Sequence, residues 1–110
     1  MKQNALQMTL LFDYYGDLLS EKQKNHFDLY YNQDLSLAEI AEETGISRQG
    51  VHDALSKAEQ ALCEFEEKLG CVAKEHRLME LLQVITDAAK ELSGTPQADR
   101  ILNAVQELKE

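Results

Sequence analysis

The chain has 110 residues, a length that fits one domain, and 44% of them are apolar, as in an ordinary globular protein. No apolar run reaches the length of about 18 residues that a membrane-spanning helix needs, and the N-terminus Met1-Lys2-Gln3-Asn4 leads into no signal-peptide core. With 11 basic and 20 acidic side chains the net charge is −9, and both halves of the chain are acidic, so the long-range field repels polyanions.

The cysteine content and the scarcity of helix breakers narrow the fold class further. Cys63 and Cys71 are too few for a disulfide framework, so we expect reduced thiols in a cytoplasmic protein. Proline occurs once and glycine five times, which favours long helices joined by short turns. Because no segment shows strand-like alternation, the predicted fold class is all-α.

Two helices are predicted on either side of Ser20. Apolar residues recur at steps of three and four before it, which indicates an amphipathic helix from Leu6 to Leu19. Ser20 and Gln23 have the spacing of a capping box, so a second helix begins there and ends at residues 32–34. The residues expected to face the core are Leu6, Leu10, Leu11, Tyr14 and Leu18, widened by Phe12, Tyr15 and Leu19, and then Phe27, Tyr30 and Tyr31.

The region from Leu37 to Ser56 carries the most informative pattern. Ser36 and Glu39 form a second capping box, Gly45 ends the helix by reaching positive φ without strain, and Ser47 caps the next helix. Two helices joined by a tight glycine-containing turn describe a helix-turn-helix. The small Ala41 fits their crossing, and the expected apolar contacts between them come from Ile40, Ile46, Val51 and Ala54.

The second helix of this unit is predicted to be unusually long and is followed by two more helices. It continues to Leu69 and ends at Gly70, and the next helix covers residues 71–92. Thr95 then caps a last helix with Pro96 at its first position. We expect a helix-turn-helix domain at residues 1–70 and a C-terminal helical pair at residues 71–110, which either packs on that domain or forms a dimer interface.

The leading turn of the long helix carries the candidate nucleic-acid contacts, because this part of a helix-turn-helix enters the major groove. Arg48 can pair bidentately with guanine, and Gln49 with adenine. Lys57, together with Lys22 and Lys24 at the start of the second helix, can reach phosphates. The full candidate set is Ser47, Arg48, Gln49, His52, Ser56, Lys57, Lys22 and Lys24.

Other interpretations of this turn remain open. Arg48 and Gln49 are also what a simple solvated first turn contains, and Asp53 beside them would face phosphate poorly. Gly50 costs helix stability, so we expect it to permit a close backbone approach, either to a phosphate or to the preceding helix.

Several segments resemble region four of bacterial sigma factors. They are Leu19-Ser20-Glu21-Lys22-Gln23-Lys24, Leu29-Tyr30-Tyr31, Ser36-Leu37-Ala38-Glu39-Ile40-Ala41, Gly45-Ile46-Ser47-Arg48-Gln49-Gly50-Val51 and Lys57-Ala58-Glu59. This resemblance implies a sigma-factor region-four-like core with an extended recognition helix.

The chain as a whole is more similar still to the YlxM family of Firmicutes. The matching segments are Leu11-Phe12-Asp13-Tyr14-Tyr15, Leu18-Leu19, Lys22-Gln23, Ser47-Arg48-Gln49, Glu64-Phe65-Glu66 and Lys68-Leu69. The resemblance covers residues 6–70 well and the rest weakly. It implies a DNA-binding protein with a regulatory role that is associated with the signal recognition particle pathway.

Catalysis, metal binding and a cofactor are not expected. His26, His52 and His76 do not combine with the two cysteines at zinc-ligand spacing, and no glycine loop could cradle a phosphate. Carboxylate pairs such as Glu42-Glu43 are typical of solvated helix faces.

Two functions from different classes remain. One is a sequence-specific DNA-binding regulator, expected as a homodimer. The alternative is an interaction module that binds no DNA and uses the acidic helix end Glu64–Glu67 to bind a basic protein or ribonucleoprotein, such as a signal recognition particle component.

Overall fold

The computed structural model describes residues 4–110, which fold into six α-helices without a β-strand, so the all-α prediction is confirmed. The helices are α1 (Ala5–Tyr15), α2 (Glu21–Phe27), α3 (Leu37–Thr44), α4 (Arg48–Leu69), α5 (Cys71–Lys90) and α6 (Pro96–Lys109). What the sequence predicts for residues 1–3, including the lack of a signal-peptide core, lies outside the described residues.

Local sequence explains where the helices begin. The Ser20 hydroxyl accepts from the Gln23 N–H at 3.1 Å, and the Ser36 hydroxyl accepts from the Glu39 N–H at 3.1 Å. In both cases the side chain three residues on accepts from the serine N–H in return, so both predicted capping boxes are present. Gly45, at φ 78°, ends α3 as predicted.

The chain divides into two compact units, Met1–Val72 and Ala73–Glu110. We call them the first unit and the C-terminal hairpin. The boundary falls within the first turn of α5.

In the first unit, α1, α2 and α3 all pack against α4. The unit has two clusters of buried side chains. One joins α1, α2 and the middle of α4, and consists of Met8, Leu11, Tyr15, Leu19, Phe27, Ala58, Leu62 and Val72. The other joins α3 to the start of α4, and consists of Leu29, Ile40, Val51 and Leu55.

The buried face of α1 includes only part of the predicted one. Leu11, Tyr15 and Leu19 are buried as predicted, together with Met8, whereas Leu6, Tyr14 and Leu18 are 86%, 42% and 58% exposed. Both sets recur at helical spacing in a segment that is apolar on most sides, so periodicity alone could not choose between them. The helix also ends at Tyr15 rather than Leu19, and a 3₁₀ turn covers Gly16–Leu18.

The second predicted helix also departs from regular geometry. A π-helical turn at Asp28–Asn32 follows α2. Leu29 in this turn is buried, and Tyr30 and Tyr31 are half-buried and pack against the two core clusters, so both tyrosines face the core as predicted.

Residues distant in sequence hold the start of α5. The Tyr15 hydroxyl donates to Glu66 Oε1 at 2.6 Å and accepts from the Cys71 N–H at 3.0 Å. The same Glu66 oxygen accepts from the Val72 N–H at 3.0 Å. Burial and the bonds to Glu66 and Cys71 raise the pKa of Tyr15. These bonds satisfy free N–H groups that every helix exposes at its N-terminus.

Candidate nucleic-acid interface

The turn between α3 and α4 is built by local hydrogen bonds and locked by an apolar cluster. The Gly45 N–H donates to the Ala41 carbonyl at 2.9 Å, and the Ser47 hydroxyl accepts from the Gly50 N–H at 3.0 Å. Ile40 and Val51 are fully buried between the two helices. The orientation of α4 relative to α3 is therefore fixed by close packing.

Gly50 has a packing role in this turn. A Cβ atom there would lie 3.2 Å from Ser47 Oγ and 3.6 Å from Ile46 Cδ1. The atoms that Gly50 approaches belong to Ile46 and Ser47 in the turn itself and not to α3, the preceding helix, so that predicted approach is not the one observed. Approach to a phosphate stays a prediction.

The predicted contact residues on α4 share one exposed face. Because Val51 and Leu55 are buried against α3, the opposite side of the helix points outward. The exposed residues on that side, together with the cap, are Ser47, Arg48, Gln49, His52, Ser56 and Lys57. Ala54, expected to lock the two helices, is only half-buried and lies at the edge of a cleft.

Asp53 organises two of these side chains. Gln49 Nε2 donates to Asp53 Oδ1 at 3.0 Å, and His52 Nδ1 lies 3.7 Å from the same oxygen. Asp53 itself is exposed. A Gln49 amide that bonds a base edge would have to exchange this bond for the new one.

Two of the three predicted phosphate-contacting lysines are brought together. Lys22 on α2 and Lys57 on α4 line one open cleft of about 290 Å³, which Gly50 also lines. Asp53 also lines this cleft. A phosphate approaching here would therefore meet two ammonium groups and one carboxylate.

Lys24 is placed differently. Its Nζ lies 2.5 Å from Asp17 Oδ1, and this pair raises the pKa of Lys24 and lowers the pKa of Asp17. Lys24 lines a separate cleft with Glu21 and Asp28. Its charge is therefore offset by a neighbouring carboxylate.

The structure adds a contact that the sequence did not predict. The Tyr31 hydroxyl donates to a Glu59 carboxylate oxygen, which ties the π-helical turn to α4 beside the exposed face. Burial, together with this bond, raises the pKa of Tyr31. The two residues are 28 positions apart, and neither belongs to a motif that could have indicated the pair.

The imidazole of His26 is a buried polar group that the sequence analysis did not single out. His26 is 3% exposed, and its Nδ1 lies 2.7 Å from the Lys22 carbonyl oxygen. It lines a cleft of about 410 Å³ with Glu43 and Thr44 of α3. Because the partner of Nδ1 is a carbonyl oxygen, Nδ1 is the donor in this bond. The buried Nε2 has no hydrogen-bond partner among residues 4–110.

Residues 4–110 contain neither a candidate metal cluster nor a candidate membrane-spanning helix. Within that range no group of three or more His, Cys, Asp or Glu side chains is arranged to hold a metal ion. None of the described helices is both long enough and apolar enough to cross a bilayer.

The capped α3, its glycine turn and a long α4 with an outward leading face define a helix-turn-helix protein. The chain belongs to the UPF0122 family, whose model, described as "Putative helix-turn-helix protein, YlxM / p13 like", matches residues 2–100. This membership confirms the resemblance to the YlxM family stated above.

The chain is similar to UPF0122 proteins from several bacteria. It is 43% identical over 108 residues to one from Thermoanaerobacter sp. strain X514, covering 98% of this chain and 92% of that relative. It is 39% identical over 109 residues to one from Halalkalibacterium halodurans, covering 99% and 100%. A relative from Desulforamulus reducens is 57% identical over 68 residues, which is 62% of this chain and 58% of that relative.

Proposed function

We propose that this protein binds DNA through the start of α4 and acts as a cytoplasmic regulatory protein. The observation that carries the proposal is the outward face of α4 next to the rigid turn. Arg48, Gln49 and His52 are exposed there, while Val51 and Leu55 hold the helix from behind. A helix presented in this way fits the major groove.

The proposed contacts divide into base recognition and phosphate contact. Arg48 recognises guanine through two hydrogen bonds. Gln49 recognises adenine once its own hydrogen bond to Asp53 has been broken. Lys22 and Lys57 contact the phosphate on the α2 side of the groove, where they line the same cleft. Ser47, His52 and Ser56 complete the surface. Lys24 contributes less, because Asp17 already neutralises it.

The acidity of the chain limits how strong such binding can be. Residues 1–72 contain 6 basic and 13 acidic side chains. With about three cations near DNA, the logarithm of affinity should fall with the logarithm of salt at a slope of roughly −3. We therefore expect weak binding to random DNA. Tight binding should require a specific operator sequence.

The test is fluorescence anisotropy on duplex DNA, first with random sequence at low salt and then with sequences selected from it. Arg48→Ala/Gln49→Ala should reduce specific affinity by roughly a hundredfold or more, because each bidentate pair supplies about 1–3 kcal/mol of discrimination. The matched control, Arg100→Ala/Gln106→Ala, removes the same chemistry from exposed positions of α6 and should change nothing. Absence of binding at low salt, or equal losses in both variants, would contradict the proposal.

The charge supports a second candidate, an interaction module that binds a basic protein or ribonucleoprotein of the signal recognition particle pathway. Glu64 and Glu67 are exposed near the end of α4 and offer a carboxylate surface. Glu66 between them is engaged with Tyr15 and Val72, so it is left out of this surface.

Pull-down of the purified signal recognition particle protein, with and without its RNA, tests this candidate at low and at physiological salt. Glu64→Gln/Glu67→Gln should reduce capture, whereas Glu42→Gln/Glu43→Gln on α3 serves as a charge-matched control. No capture by the unmodified protein at low salt would eliminate this candidate and leave DNA binding untouched.

A further inference from the structure

The C-terminal hairpin carries two mainly apolar lines along its helices. The first line, which we call the buried seam, is buried or half-buried. It consists of Glu75, Met79, Leu82, Thr86 and Ala89 on α5 and of Ala98, Leu102 and Val105 on α6, so six of its eight members are apolar. The small Ala89 and Ala98 lie on either side of the turn and are 2% and 0% exposed.

The second line, the open seam, faces outward. It consists of Leu78, Leu81, Ile85 and Ala88 on α5, of Leu92 in the turn that follows, and of Ile101, Ala104 and Leu108 on α6. All eight residues are exposed, and the six large ones are between 37% and 59% exposed. None of the eight is charged.

Both seams advance by alternating steps of three and four residues, which average 3.5. This heptad spacing is typical of helices that pack at a shallow angle with knobs in holes. A pair of helices can bury only one such seam. Helices with two adjacent seams are the pattern of a four-helix bundle, in which each helix contacts two neighbours.

We infer that a second copy of this chain covers the open seam, so that two hairpins form a four-helix bundle. Residues 73–110 make a unit of only 38 residues. Units below about 40 residues usually need oligomerisation, disulfides or metals for stability, and this segment has neither cysteine nor a metal cluster among its described residues.

Charge and symmetry favour an identical partner over a different one. The hairpin contains five basic and seven acidic side chains, so two copies repel each other only weakly. A two-fold interface must be complementary to itself, and a uniformly apolar seam meets that condition. The inference goes beyond DNA binding, because the bundle would form with or without DNA.

Sedimentation equilibrium of the full chain over a wide concentration range is the first test. We expect twice the chain mass of 12.5 kDa at high concentration and dissociation on dilution. A monomer at every concentration would overturn the inference.

Substitutions then locate the interface. Leu81→Glu/Ile85→Glu places charges in the open seam and should weaken self-association by roughly a hundredfold, since burial of each aliphatic side chain is worth more than a factor of ten. Val84→Glu is the matched control, because Val84 lies between them on α5, is 65% exposed and belongs to neither seam. Circular dichroism should show unchanged helix content for Val84→Glu. Equal weakening by Val84→Glu would overturn the assignment of the seam.

Discussion

The first unit and the C-terminal hairpin are both helical, yet they are held together by different means. In the first unit, hydrogen bonds such as Tyr15 to Glu66 join residues 51 positions apart. In the hairpin, the bonds Arg77 to Glu80 and Gln83 to Asp87 join residues three or four apart on one helix. The difference indicates that long-range polar contacts help the apolar core to fix the first unit, while the apolar pattern organises the hairpin and leaves one seam open.

The largest expected effect concerns the core of the first unit. Phe27 is fully buried and stacks on Phe12 and Tyr31 at centroid distances of 4.5 Å and 4.3 Å. Phe27→Ala should lower the free energy of unfolding by about 3–5 kcal/mol, measured by urea denaturation, because it leaves a large cavity. Leu18→Ala, at a position 58% exposed, should cost under about 0.5 kcal/mol. Similar losses in the two variants would show that this stack is not the centre of the fold.

An intermediate effect tests the long-range polar contacts. Glu66→Ala removes the acceptor for the Tyr15 hydroxyl and the Val72 N–H and should cost about 1–3 kcal/mol, because both donors lose their partner. The neighbouring Glu67 is exposed, so Glu67→Ala should change the free energy of unfolding by less than about 0.5 kcal/mol. If Glu67→Ala were the more harmful change, the contrast between the two units would lose its basis.

The smallest effect is a pH dependence. Asn32 and Gln33 donate to the Asp28 carboxylate at 2.8 Å and 2.9 Å, and these bonds lower the pKa of Asp28. A carboxyl whose pKa is lowered on folding stabilises the protein above its ordinary value of about 4, and this contribution disappears as the pH falls through the lowered pKa.

Urea denaturation of the unmodified protein and of Asp28→Asn between neutral and acidic pH measures this contribution. We expect the unmodified protein to be the more stable at neutral pH and the difference to shrink in acid. Parallel curves across the whole range would mean that Asp28 does not contribute through its charge.

Features encoded by neighbouring residues were predicted well from the sequence. The serine caps of α2, α3 and α4, the ends at Gly45 and Gly70, and the outward face around Arg48 each depend on residues within one or two turns. Such features can be predicted without knowing which segments pack against each other in the fold.

Features that depend on distant partners were not predicted. The sequence predicts both Tyr14 and Tyr15 for the core, and periodicity cannot indicate the bonds to Glu66 and Cys71 that hold Tyr15 there. The sequence predicts that Glu66 belongs to an acidic surface at Glu64–Glu67. One signal was present, since Gly70 precedes α5 where a capping side chain normally stands, so the first N–H groups of that helix needed an acceptor from elsewhere.

The Tyr15 contacts have a consequence for synthesis of the chain. The hydroxyl bonds partners that lie 51 and 56 residues later in the sequence, so α1 leaves the ribosome well before it can be anchored. At about 5–20 residues per second, this interval lasts roughly 3 to 11 seconds. During that time the side chains of Met8 and Leu11 remain accessible to chaperones or to other nascent chains. The compact α3–α4 turn, whose contacts are close in sequence, forms without that delay.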